Sequence, residues 1–184
     1  RWLYFICGLA GTAMIGTGLV IWLGKRQLKH AKAHAMPFEL RLVEVLNIAS
    51  MSGLLIAIAA FFWANRLLPV SFAERSGWEV QTFFIAWGLS LLHASVRRGR
   101  RGWVEQLSVA ALLFMAIPVI NALTTSHHLG VALASGDWAM AGFDLTCLAC
   151  GVFFAWAARK MQRRGVPAPK AERARPLTLK REAH

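Results

Sequence analysis

Long uncharged apolar runs alternate along this chain with short basic ones, and the alternation divides it into five blocks. They extend from Leu3 to Gly24, Val45 to Ala64, Val80 to Val96, Val104 to Leu123 and Trp138 to Ala158, the third being the shortest. A helix that crosses the hydrocarbon core of a bilayer needs about 20 predominantly apolar residues. The pattern therefore predicts an all-α polytopic membrane bundle over residues 1–160 with five transmembrane helices. Residues 161–184 are expected to form a disordered basic cytoplasmic tail, because Pro167, Pro169 and Pro176 with alternating Ala and charge cannot bury enough apolar surface to offset chain entropy.

The polar stretches orient the helices. Lys and Arg collect on the cytoplasmic side because their translocation is disfavoured. Lys25, Arg26, Lys29, Lys32 and Arg41 separate the first two blocks; Arg97, Arg98, Arg100 and Arg101 separate the third and fourth; nine more basic residues follow the fifth. Eighteen of the 21 positive charges thus share one side, leaving Arg1, Arg66 and Arg75 on the other. The N-terminus is expected outside and the C-terminus inside. Tryptophan prefers the headgroup level, and Trp2, Trp63, Trp78 and Trp138 fall at expected outer ends while Trp22, Trp103 and Trp156 fall at inner ends; only Trp87 is mid-block.

Composition adds one alternative and removes it. A formal charge of +12 would suit a nucleic-acid binder, but 57% of the residues are hydrophobic and the basic ones lie in turns and tail, where they meet anionic headgroups. The expected partner is the lipid bilayer, with no nucleic acid. The run that opens at Arg1 enters an apolar block at once without a signal-peptide flank, so the chain reads as a piece of a longer protein with at least one further span upstream.

Small residues repeat every four positions at Gly8, Thr12 and Gly16, at Ala49, Gly53 and Ala57, and at Gly142, Thr146 and Cys150. Such seams let helices approach closely in lipid. Pro118 cannot donate to the Phe114 carbonyl, so a local distortion is expected there.

Ionisable groups within a membrane are costly and seek partners. The orientation sorts them into an outer layer of Arg66, Asn121, Asp137 and Asp144 and an inner layer of Glu44, Asn47, His93, Glu105 and Gln106. Asp144, Arg66 and Asn121 form a candidate structural polar set, since Asp144 lies about 9 Å below the outer boundary at about 1.5 Å per residue and needs a donor. His93 is either a hydrogen-bonded packing residue or, with a second imidazole, a ligand to heme iron; His30 and His34 are on its side of the membrane, whereas His127 and His128 are on the other. Cys147-x-x-Cys150 lies within a block rather than at a helix start after a strand, so it reads as packing, as does Cys7.

The stretches Arg1-Trp2-Leu3-Tyr4-Phe5, Gly8-Leu9-Ala10-Gly11-Thr12-Ala13-Met14, Phe62-Trp63-Ala64-Asn65-Arg66-Leu67-Leu68-Pro69, Asn121-Ala122-Leu123-Thr124-Thr125 and Gly136-Asp137-Trp138 through Asp144-Leu145 resemble the last third of the PepSY-associated transmembrane, or iron-regulated membrane, proteins. The resemblance implies a bacterial inner-membrane protein of iron uptake, some of whose relatives are reductases of ferric siderophores containing heme b. It also implies His-rich upstream helices and a PepSY portion as partners, neither of which is in this sequence. The expected function is that of a ferric-siderophore reductase with His93, and less so His30, at the heme; the alternative is a non-enzymatic membrane scaffold or transport accessory.

Overall fold

The computed structural model describes residues 2–30, 37–69, 71, 74–124 and 136–163. Among them the chain is helical apart from turns. Helix α1 spans Trp2–His30. Helix α2 (Phe38–Ile48), a π-helical turn (Ala49–Gly53) and helix α3 (Leu54–Leu67) follow without a break as one 30-residue rod. Helices α4 (Arg75–Val96), α5 (Gly99–Thr124) and α6 (Trp138–Arg163) complete the order.

Local chemistry sets the helix ends. Pro37 precedes α2 and its carbonyl receives the amides of Leu40 and Arg41 at 3.1 and 3.3 Å, while Glu39 in the first turn faces the positive end of the helix dipole. Between α4 and α5 the connection is two residues long. Gly99 takes φ +70°, a left-handed conformation that favours glycine, and a Cβ on Gly102 would collide with the Arg97 carbonyl. This turn needs both glycines.

The π turn has its own partners. Widening a helical turn frees a carbonyl from the regular ladder, and the Trp87 indole N–H of α4 donates to the Ala49 carbonyl at 3.1 Å. Gly53 allows the approach that makes this possible, since a Cβ there would lie 2.8 Å from the Ser90 Cβ.

Helix α3 packs between α4 and α5, and α5 pairs along its length with α6. Ala59, Phe114, Ile117 and Cys147 form the core where these meet, closed by edge-on ring pairs Phe62–Phe143 and Phe114–Phe154 at 5.2 and 5.5 Å. Ile48, Ala49 and Ala94 form a smaller core near Trp103. Helix α1 touches mainly α2 and is exposed over most of its surface.

Among the described residues four helices are long and apolar enough to cross a membrane: α1, the α2–α3 rod, α5 and α6. Helix α4 contains the third expected block but begins before it, at Arg75, and has 22 residues; Arg75, Glu79, Gln81, Ser90 and His93 dilute its apolar content and it is not among the four. The other blocks extend past their expected ends, α6 as far as Arg163. The expected tail beyond it lies outside the described residues.

The small-residue seams fare differently. Ala49, Gly53 and Ala57 are buried as expected. On α6 the buried face is Ala141, Asp144, Cys147 and Gly151, not Gly142, Thr146 and Cys150; one residue of offset turns the face by about 100° on a helix of 3.6 residues per turn. Gly8 and Gly11 of α1 face open space. Helix α5 continues through Pro118, and one carbonyl before Phe114 the Trp63 indole donates to Leu113 O at 3.1 Å.

Candidate functional site

Where α3, α4 and α5 converge, five polar side chains meet. Ser90 and His93 are three residues apart on α4 and so share a face; Glu105 and Gln106 come from the second turn of α5, and Ser52 from the π turn. Ser52, Ser90 and Gln106 are buried, whereas the His93 and Glu105 side chains are 39% and 41% exposed.

Gln106 is the hub. Its amide nitrogen donates to the Ser90 carbonyl at 2.7 Å, and its Oε1 accepts from the Ser52 hydroxyl at 2.8 Å. The same amide nitrogen faces His93 Nδ1 at 3.4 Å, while His93 Nε2 lies 2.9 Å from Glu105 Oε2. An amide N–H directed at Nδ1 makes that nitrogen the acceptor. The network therefore selects the tautomer with the proton on Nε2, donated to the carboxylate.

Alongside lies an open-sided groove of about 330 Å³, walled by Ile56, Ala60, Ala86, Leu89, Val109 and Leu113 and floored by His93, Glu105, Ser90 and Gln106. Glu105 also borders the basic cluster of Arg97, Arg100 and Arg101.

A second buried polar contact lies at the other end of the bundle. Asp144 of α6 is 3% exposed and Asn121 of α5 is 1% exposed, and the Asn121 amide donates to Asp144 Oδ1 at 2.6 Å. Arg66 lines a neighbouring groove with Phe62, Asn65 and Phe143, and among the described residues no ion pair joins it to Asp144. Asn65 is tied instead to α4, donating to Glu79 Oε1 at 3.1 Å and accepting from Arg75, which pairs with Glu79 at 3.0 Å.

Of the residues singled out from sequence, His93, Glu105 and Gln106 converge. Glu44 stands near Gly99, at the α4–α5 turn, and Asn47 is buried nearby. The side chain of His30, together with His34, His127 and His128, lies outside the described residues. Cys147 and Cys150 are unbonded thiols. Ser52 and Ser90 were not singled out: a serine in an apolar run commonly bonds its own helix backbone. The available signal was the three-residue spacing of Ser90 and His93.

An axial ligand to heme needs an imidazole nitrogen whose lone pair points into open space, and a six-coordinate iron needs a second donor. His93 has Glu105 against one ring nitrogen and Gln106 against the other, and among the described residues no group of three His, Cys, Asp or Glu side chains could hold a metal ion. In this arrangement Gln106 stands against Nδ1, the His93 nitrogen left without a proton when Nε2 donates to Glu105. No protein-family model matches the chain, and neither a curated protein nor a solved structure does.

Proposed function

We propose that this chain is a non-enzymatic scaffold in the bacterial inner membrane, a five-span bundle with its N-terminus outside and its basic end in the cytoplasm, serving an iron-uptake protein. The iron-uptake setting rests on the resemblance of its outer-end motifs to the iron-regulated membrane proteins. The orientation rests on the placement of eighteen basic residues.

A membrane role for α4 is supported by its surface. Val80, Phe84, Ile85, Leu89, Leu92 and Val96 are exposed, and an apolar band of this kind belongs against lipid rather than water. Its polar residues Ser90 and His93 turn toward α5, so few polar groups would meet hydrocarbon.

The observation that carries the scaffold reading is the engagement of both His93 ring nitrogens within the bundle. An imidazole held between a carboxylate and an amide fastens α4 to α5, two helices with little other contact. The competing reading, a ferric-siderophore reductase with heme at His93, requires that imidazole to leave its partners. Reconstitution of the purified chain with hemin in the presence of added imidazole, which can supply the second axial donor, tests this. The scaffold reading expects no saturable Soret band, equally in wild type and in His93→Ala; a stoichiometric band in wild type that His93→Ala abolishes while the protein stays folded would overturn it.

A further inference from the structure

The groove beside His93 combines two chemistries that a purely structural network does not require. Its walls are aliphatic and small: Ile56, Ala60, Ala86, Leu89, Val109 and Leu113. Its floor is lined by an imidazole and a carboxylate whose side chains are 39% and 41% exposed in all, Glu105 toward the neighbouring basic groove as well as toward this one, while Ser90 and Gln106 are buried. A hydrophobic cleft with a few convergent polar groups is the usual form of a small-molecule site.

The occupant follows from what each zone accepts. The groove opens beside Leu89 and Val109, which are 61% and 44% exposed on an apolar exterior, so a ligand can enter sideways from lipid and leave a hydrocarbon tail outside. The floor favours a hydrogen-bond donor. Nε2–H of His93 occupies one oxygen of Glu105, and a carboxylate accepts from more than one donor. A ring can be seated between Ala60 and Ala86, the smallest side chains of the aliphatic wall. We infer that this groove binds the headgroup of an isoprenoid quinol, with a ring hydroxyl donating to Glu105 beside His93 and the tail lying along Leu89 and Val109.

This assignment concerns binding alone and stands independently of the scaffold reading. A phospholipid acyl chain could fill the aliphatic walls but would leave the carboxylate unused, and an oxidised quinone lacks the hydroxyl that the carboxylate needs.

The test is equilibrium binding of tritiated decylubiquinol, kept reduced under anaerobic conditions, to the full chain in phosphatidylcholine nanodiscs. The expected result is one saturable site, with affinity weakened about tenfold for decylubiquinone and about tenfold by Glu105→Gln, the loss of one charge-assisted hydrogen bond. Ala86→Phe, which fills the groove while keeping the backbone carbonyl that accepts from Ser90, should abolish the site, whereas Leu112→Phe on the exposed face of α5 should not. Should Glu105→Gln fail to fold, the quinol-to-quinone preference and Ala86→Phe still decide. Non-saturable uptake overturns the assignment. So does saturable binding indifferent to redox state and to Glu105→Gln, which would mark the groove as an acyl-chain site.

Discussion

Asp144 and Gly53 show what single residues contribute in this bundle. Lipid tails are as apolar as the helix surfaces, so association rests on close packing and interhelical hydrogen bonds rather than on hydrophobic burial. Asp144 and Asn121 are both buried and bonded to each other. Truncating either strands the other, at about 1–3 kcal/mol for an unsatisfied buried group. Asn121→Ala should therefore lower stability in SDS unfolding titrations by about that amount, while Arg66→Ala should shift it by less than about 0.5 kcal/mol; equal effects would mean that Arg66 is the true partner. Gly53 makes a parallel contrast with Gly142. An added methyl would meet Ser90 at Gly53 and nothing within 4 Å at Gly142. Gly53→Ala should destabilise by about 1–3 kcal/mol through overpacking and Gly142→Ala should not, as read by thermal aggregation in detergent.

At the scale of the element, two indoles join helices that their apolar faces alone would leave loosely placed. Trp87 donates to the carbonyl at the π turn and Trp63 to the carbonyl beside the proline segment, each spanning two helices. Interhelical hydrogen bonds in a membrane average about 0.6 kcal/mol, so Trp87→Phe and Trp63→Phe should each lower stability by roughly that amount, additively because they lie on different helix pairs; a larger combined loss would mean that the π turn and the Pro118 region move together. Helix positions were legible from sequence because an apolar block of spanning length has few alternatives. Part of the inner layer was legible too, since His93, Glu105 and Gln106 stand near the basic ends of otherwise apolar blocks. Helix faces were not. Small size alone places the α6 seam one residue off, because the buried Asp144 turns its own face, with Ala141, Cys147 and Gly151, toward α5. The π turn was invisible because it depends on Trp87 and Ser90, distant in sequence from Ala49 and Gly53.

For the whole molecule, α4 decides the topology. Among the described residues four helices are long and apolar enough to cross a membrane, and α4 joins them only if its exposed apolar band faces lipid and its polar face stays against α3 and α5. With five spans, the basic stretches flanking α1, α4 and α6 all fall on one side, as the bias of Lys and Arg toward the cytoplasm requires. With four, Arg97, Arg98, Arg100 and Arg101 would share a side with Ser76. Alkaline phosphatase, active only outside the cytoplasm, tests this by fusion after Ser76, Gly99, Ser135 and Gly165. The five-span account predicts activity after Ser76 and Ser135 and none after Gly99 and Gly165; activity after Gly99 would contradict it.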